Sequence, residues 1–157
     1  LLLLILRIFF IIIFFIDLKH FIIPNVLTFP LMGIGFLKSF DPNLNQTIFP
    51  NYINSLIGGL FGYSIIWLII FFYKKVRKKE GMGLGDAKLL AAVGFWFGWV
   101  SIPFTIFFSS VMALIVVTPS LIKKKKDMAT QIPFGPYIII GCTIYAFFSN
   151  EIKFLLI

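Results

Sequence analysis

One cysteine, one histidine and six acidic residues are all that this 157-residue chain offers to the commoner kinds of reactive centre. Cys142 stands alone inside an apolar stretch, which excludes an internal disulfide and a cysteine-based zinc site and leaves it a packing residue. A Ser-His-Asp triad would have to rest on His20, and metal binding would lack nitrogen and sulfur ligands. Neither a metal site nor a cofactor is expected. The glycine-rich stretch at Gly81–Gly85 is not followed by Lys-Ser/Thr, so it is no phosphate loop. Charged residues make up only 13% of the chain, too few to give a soluble globule a polar surface. The apolar segments also lack the alternation of membrane barrel strands.

What is abundant is apolar bulk. The chain is 60% hydrophobic with a mean hydropathy of +1.03, and the lipid bilayer is its natural solvent. Several apolar runs approach the roughly 20 residues that a helix needs to cross the hydrocarbon core. They predict an all-α, polytopic membrane helix bundle of about six transmembrane helices, near 1–16, 22–38, 53–73, 87–100, 103–122 and 134–149, forming one domain over 1–157. The 21 phenylalanines read as lipid-facing bulk. The run 1–16 has no basic leader before it and no small-residue cleavage site after it, so it is expected to be a retained helix. Gly58, Gly59 and Gly62 predict a close helix crossing, and Arg7 in the first run is expected to be structural.

The net charge of +8 does not point to nucleic acid. Nine of the 14 basic residues lie at Lys74, Lys75, Arg77, Lys78, Lys79 and Lys123–Lys126, each cluster directly after a long apolar segment. That is the mark of cytoplasmic loops. With the segment 39–52 nearly uncharged, the alternation puts the helix ends at Asp17, Asp86 and Pro133 together on the cytoplasmic side of the cell membrane.

Of the six acidic residues, Asp41, Glu80, Asp127 and Glu151 read as solvated charges in loops or beyond the last helix. Asp17 instead ends an apolar helix at the membrane boundary, where an interfacial or helix-capping role competes with a chemical one. Asp86 follows three glycines and reads either as an N-cap or as a carboxylate beside which an extended backbone has room. Placed on one membrane face, the two form a pair that cannot both ionise easily. One carboxylate can take a proton from water as it attacks a peptide carbonyl, while the protonated partner donates to the carbonyl oxygen. This is the apparatus of an aspartic protease, with Asp17 and Asp86 as its catalytic residues.

The residues around the pair carry a resemblance. The segment from Asp17 through Pro24, Asn25 and Thr28 (DLKHFIIPNVLT) and the segment from Gly83 through Gly85, Asp86 and Lys88 to Gly94 (GLGDAKLLAAVG) resemble the two active-site motifs of the type IV prepilin peptidases. Pro133, Gly135 and Pro136 in IPFGP resemble a third stretch of that family. Gly-x-Gly-Asp alone also occurs in presenilin-like and signal-peptide peptidases, but the Pro-Asn-x-Leu-Thr and Gly-Asp-x-Lys-Leu contexts favour the prepilin enzymes. The resemblance implies a membrane aspartic endopeptidase that removes the short basic leader of prepilins or pseudopilins at the cytoplasmic face. The flanking residues would then be motif or substrate-binding positions. It covers the protease core, whereas the paired-cysteine region with which bifunctional members methylate the new terminus has no counterpart in this sequence. A non-enzymatic bundle, such as a transporter subunit or assembly factor using the aspartates as ion or packing sites, is the alternative.

Overall fold

A computed structural model describes residues 1–44, 49–77, 83–122 and 132–156. Six α-helices follow in order: α1 (Leu2–His20), α2 (Asn25–Leu37), α3 (Tyr52–Arg77), α4 (Leu84–Phe97), α5 (Ser101–Ile122) and α6 (Gly135–Leu156), with a 3-10 turn at Lys38–Phe40 after α2. The protein is an all-α membrane helix bundle, with no strand among the described residues. Among the described residues two helices, α3 over Tyr52–Val76 and α5 over Ser101–Pro119, are long and apolar enough to cross a membrane. Their outward faces are lined with exposed Leu60, Phe72, Phe107 and Leu114, side chains that only lipid solvates well.

The differences from the sequence expectation are local. Helix α1 runs four residues past Ile16 to His20, because Lys19 and His20 are exposed on its last turn and favourable at a helix C-terminus. It stops at Phe21, a non-glycine residue at φ +56° whose N–H donates to the Asp17 carbonyl oxygen. Helix α2 starts at Asn25 rather than 22, because Pro24 holds φ −68°, ψ 135° as its N-cap and disfavours helix in the residue before it. Helix α4 lies three residues upstream of the expected 87–100. Gly83 serves as its N-cap, and Gly98 ends it at φ +83°, where a side chain would be strained. The basic residues Lys78, Lys79 and Lys123–Lys126, with Glu80 and Asp127, lie outside the described residues. Arg7 points outward from α1.

Helix α4 is short, 14 residues or about 21 Å, and it is the buried axis of the bundle. Ala87, Leu89, Leu90, Ala92, Val93 and Trp96 are all fully enclosed. Such burial needs backbone approach, and glycines supply it. A Cβ on Gly58 of α3 would stand 2.5 Å from the Gly94 carbonyl oxygen of α4, and one on Gly62 would stand 2.7 Å from that of Leu90. The crossing expected from Gly58, Gly59 and Gly62 is therefore an α3–α4 interlock. Gly141 plays the same part between α6 and α5, facing Thr105 and Ser109.

The C-terminus of α4 is closely tied. The Gly94 carbonyl accepts from Gly98 N–H at 2.8 Å, that of Phe95 from the Ser55 hydroxyl at 2.7 Å, and that of Trp96 from Lys38 Nζ at 2.8 Å. These are carbonyls that a helix end leaves without intrahelical partners. Lys38 is itself buried, with its ammonium 3.9 Å from the centre of the Phe49 ring. The Trp96 indole N–H donates to the Leu31 carbonyl at 2.8 Å, tying α4 to α2.

Candidate active site

Asp17 sits one turn from the end of α1, where its side chain turns inward and is 3% exposed. Its Oδ2 accepts the backbone N–H of Gly135 at 3.0 Å. Gly135 is the first residue of α6, and its N–H is one of the donors that a helix start leaves unpaired. Pro136 behind it has no N–H to satisfy. Asp17 is thus an N-terminal cap, but for the distant α6 rather than for the segment that follows it. A Cβ on Gly135 would fall 2.5 Å from Asp17 Oδ2 and 3.0 Å from Ile23 Cδ1. Glycine at 135 is what lets the carboxylate reach the helix end.

Asp86 occupies the first turn of α4 and is 8% exposed. It is not the N-cap, a position that belongs to Gly83. Instead its backbone N–H donates to the Gly83 carbonyl at 3.2 Å, closing the first turn of the helix. The neighbouring glycines differ in kind. A Cβ on Gly85 would stand 2.9 Å from Ile23 Cβ, while one on Gly83 would meet nothing nearer than 3.8 Å. Gly85 is demanded by packing, and Gly83, at the start of the helix that carries Asp86, has open space around it among the described residues.

The two aspartates come from segments far apart in sequence, yet both are buried at the same end of the bundle. Between their supports lies Ile23, buried in the short strap from Phe21 to Pro24 and touching both Gly85 and Gly135. The three sequence motifs therefore meet at one end of the bundle. Lys88, one turn along from Gly85, donates from Nζ to Asn25 Oδ1 at 2.7 Å and lies 5.5 Å from the centre of the Phe29 ring. Thr28 is fully buried, and its hydroxyl turns back to the carbonyls of Pro24 and Asn25, 3.4 Å away in each case. It closes the first turn of α2 rather than facing the carboxylates. Pro133 is half-buried in the extended approach to α6, and Pro136 is buried in its first turn.

Residues 4–118 of this chain, which carry both aspartates, match the type IV leader peptidase family. The chain belongs to that family. Among curated relatives, a prepilin leader peptidase/N-methyltransferase of Xanthomonas campestris is 40% identical over 137 residues, which are 87% of this chain and 46% of the relative. Proteins of the same name from Stutzerimonas stutzeri and Pseudomonas aeruginosa are 37% and 36% identical, again over 87% of this chain and 46% of the relative. The chain spans about half the length of the curated relatives it matches. No solved structure matches it significantly. Within the family framework, sequence reasoning overlooked Ile23 and Lys38. Ile23 was one apolar residue among several beside a proline, and Lys38 carried no signal that it would turn inward across the end of another helix.

Proposed function

We propose that this chain is a single-domain, multi-pass membrane aspartic endopeptidase that removes the leader of type IV prepilins or pseudopilins. Asp17 and Asp86 are its catalytic pair. The observation that carries this reading is their convergence. Two buried carboxyls from different helices are brought to the same end of the bundle, one on the Gly135 N–H and the other beside Gly85, with Ile23 packed against both glycines, in a chain that belongs to the leader peptidase family.

Two carboxyls in one site share a proton. The ionised member draws a proton from a water molecule as its oxygen attacks the scissile carbonyl. The protonated member gives its proton to the carbonyl oxygen, and proton return to the departing amine completes hydrolysis. Open space at Gly83 suits an extended substrate backbone approaching Asp86. The basic clusters that follow apolar segments support an active site on the cytoplasmic face, where a basic leader would be found.

Co-expression with a candidate prepilin tests the reading directly. A size shift on a gel is expected for the wild-type chain and not for Asp86→Asn, and retained processing in that variant would overturn the assignment. Orientation has a separate test, in which a cysteine at Lys19 is expected to resist an impermeant thiol reagent in intact cells and one at Asp41 to be labelled.

Because Asp17 also caps α6, a purely structural role competes for that residue. Asp17→Asn separates the two roles, since an amide oxygen can still accept the Gly135 N–H but cannot serve as a general base. A processing-competent Asp17→Asn protein would assign Asp17 to architecture alone.

A further inference from the structure

Among the described residues Lys88 has no contact that makes it a proton donor or acceptor in the reaction proposed above, yet it stands two residues from Asp86 and its ammonium reaches Asn25 of the opposite motif. We infer that Lys88 is a positioning residue, which acts through Asn25 to hold the strap after Asp17 in register with the first turn of α4.

The chain leaves α1 at Phe21, runs through Ile22, Ile23 and Pro24, and enters α2 at Asn25. Ile23 in this strap is wedged against Gly85 of α4 and Gly135 of α6, the residues next to Asp86 and on Asp17 respectively. The position of the strap therefore sets how far the Asp17 end of α1 stands from the first turn of α4. Apolar contact at Ile23 fixes a separation and leaves sliding along the strap unopposed, since dispersion contacts are non-directional. The bond from Lys88 Nζ to Asn25 Oδ1, at 2.7 Å, supplies the direction. It is charge-assisted and short, and it joins the residue two places after Asp86 to the residue two places after Ile23.

At its far end α4 is held to α2 by the Trp96 indole on the Leu31 carbonyl and by Trp96 lying against Gly35. Helices α2 and α4 thus run side by side in the same direction, pinned at both ends. Without the Lys88–Asn25 pin the pair would remain packed, but the end bearing Asp86 would be free to shift against the strap. A misplacement of about 1 Å can cost roughly 10²-fold in rate. The bond is exposed to water, so it contributes little to overall folding compared with the buried core of α4.

The test uses the whole chain in detergent or nanodiscs, with Lys88→Gln, Lys88→Arg, Asn25→Leu and the double variant Lys88→Gln/Asn25→Leu. With a prepilin substrate, Lys88→Gln and Asn25→Leu are each expected to lower kcat by about 10- to 100-fold while KM stays within about twofold. The double variant is expected to be no worse than either single one. Lys88→Arg, which keeps the charge and the reach that glutamine lacks, is expected to recover most of the lost turnover. A rise in KM at constant kcat would overturn the inference by making Lys88 a substrate-binding residue. Multiplicative single effects would overturn it by showing that the two residues act separately.

The kinetic arm rests on the peptidase reading, and a second measurement does not. Hydrogen exchange of the amides between Phe21 and Thr28 is expected to speed up about tenfold in both Lys88→Gln and Asn25→Leu. Exchange equal to wild type in Asn25→Leu, which removes the acceptor without touching a charge, would overturn the inference whatever the other variants do. A wild-type chain that cleaves no prepilin would count against the proposed function alone, and the exchange result would still decide the role of Lys88.

Discussion

The two ends of α4 are built for opposite purposes. At the C-terminal end, Gly98 N–H, the Ser55 hydroxyl and the Lys38 ammonium each take one terminal carbonyl, and Trp96 bridges to α2. At the N-terminal end the N-cap is Gly83, which has no side chain to offer, and two carboxyls are buried there, that of Asp17 holding the Gly135 N–H. A carboxylate has room for about four hydrogen bonds, so acceptor capacity is concentrated where chemistry is proposed and spent where it is not.

Variants at the two ends should therefore part company, one set losing turnover and the other stability. The largest effect is expected at the acidic end. Asp86→Asn and Asp17→Asn should each lower prepilin cleavage by at least about 10²-fold, read by gel shift, with membrane insertion and thermal unfolding in micelles close to wild type. Loss of folding in either variant would make that end as structural as the other.

Next is Gly58→Ala, which drives a methyl group into the backbone of Gly94, Gly98 and Trp99. Overpacking of this kind costs about 1–3 kcal/mol. It should appear as a lower unfolding midpoint, with turnover of the folded fraction retained. Lys38→Met removes the donor to the Trp96 carbonyl and should cost about 1–2 kcal/mol, again without changing turnover per folded molecule. A selective fall in activity in either variant would mean that the far end of α4 communicates with the aspartates.

The smallest effects separate room from packing. Gly83→Ala meets open space at an ordinary φ of −83° and should cost no more than about 1 kcal/mol of stability, while raising KM if a substrate backbone passes there. Asp41→Asn, in an exposed turn where Asp41 accepts the Asn43 N–H, should stay within about 0.5 kcal/mol and process normally.

Much of this was legible in the sequence because lipid imposes strong rules. Six apolar segments, a glycine-based crossing and the gathering of Asp17, Asp86 and Pro133 at one end follow from hydropathy, residue size and loop charge. Boundaries were less legible. The end of α1 depends on which face Lys19 and His20 occupy, and the start of α4 on a glycine that serves as a cap without a side chain. The partner of Asp17 was hidden altogether, because a carboxylate capping a helix that begins far along the chain leaves no local pattern. Lys88 and Lys38 were hidden for the same reason. Each is a cation whose partner is set by how two helices lie together, and no spacing within either helix encodes that.

The backbone interlock of Gly58 with Gly94 also bears on motion. Helices that meet through side chains can slide as rotamers change, but helices that meet backbone to backbone have no such slack. Helix α4, seated in α3 in this way, is the fixed jaw of the site, and Asp86 travels with it. Any closing of the gap between the carboxyls as substrate binds falls to the other jaw, in which Asp17 of α1 and the first turn of α6 are joined by a hydrogen bond and should swing together. Distance labels placed on α3, α4 and α6 would register that motion as a change between α6 and α4, against a constant spacing between α4 and α3.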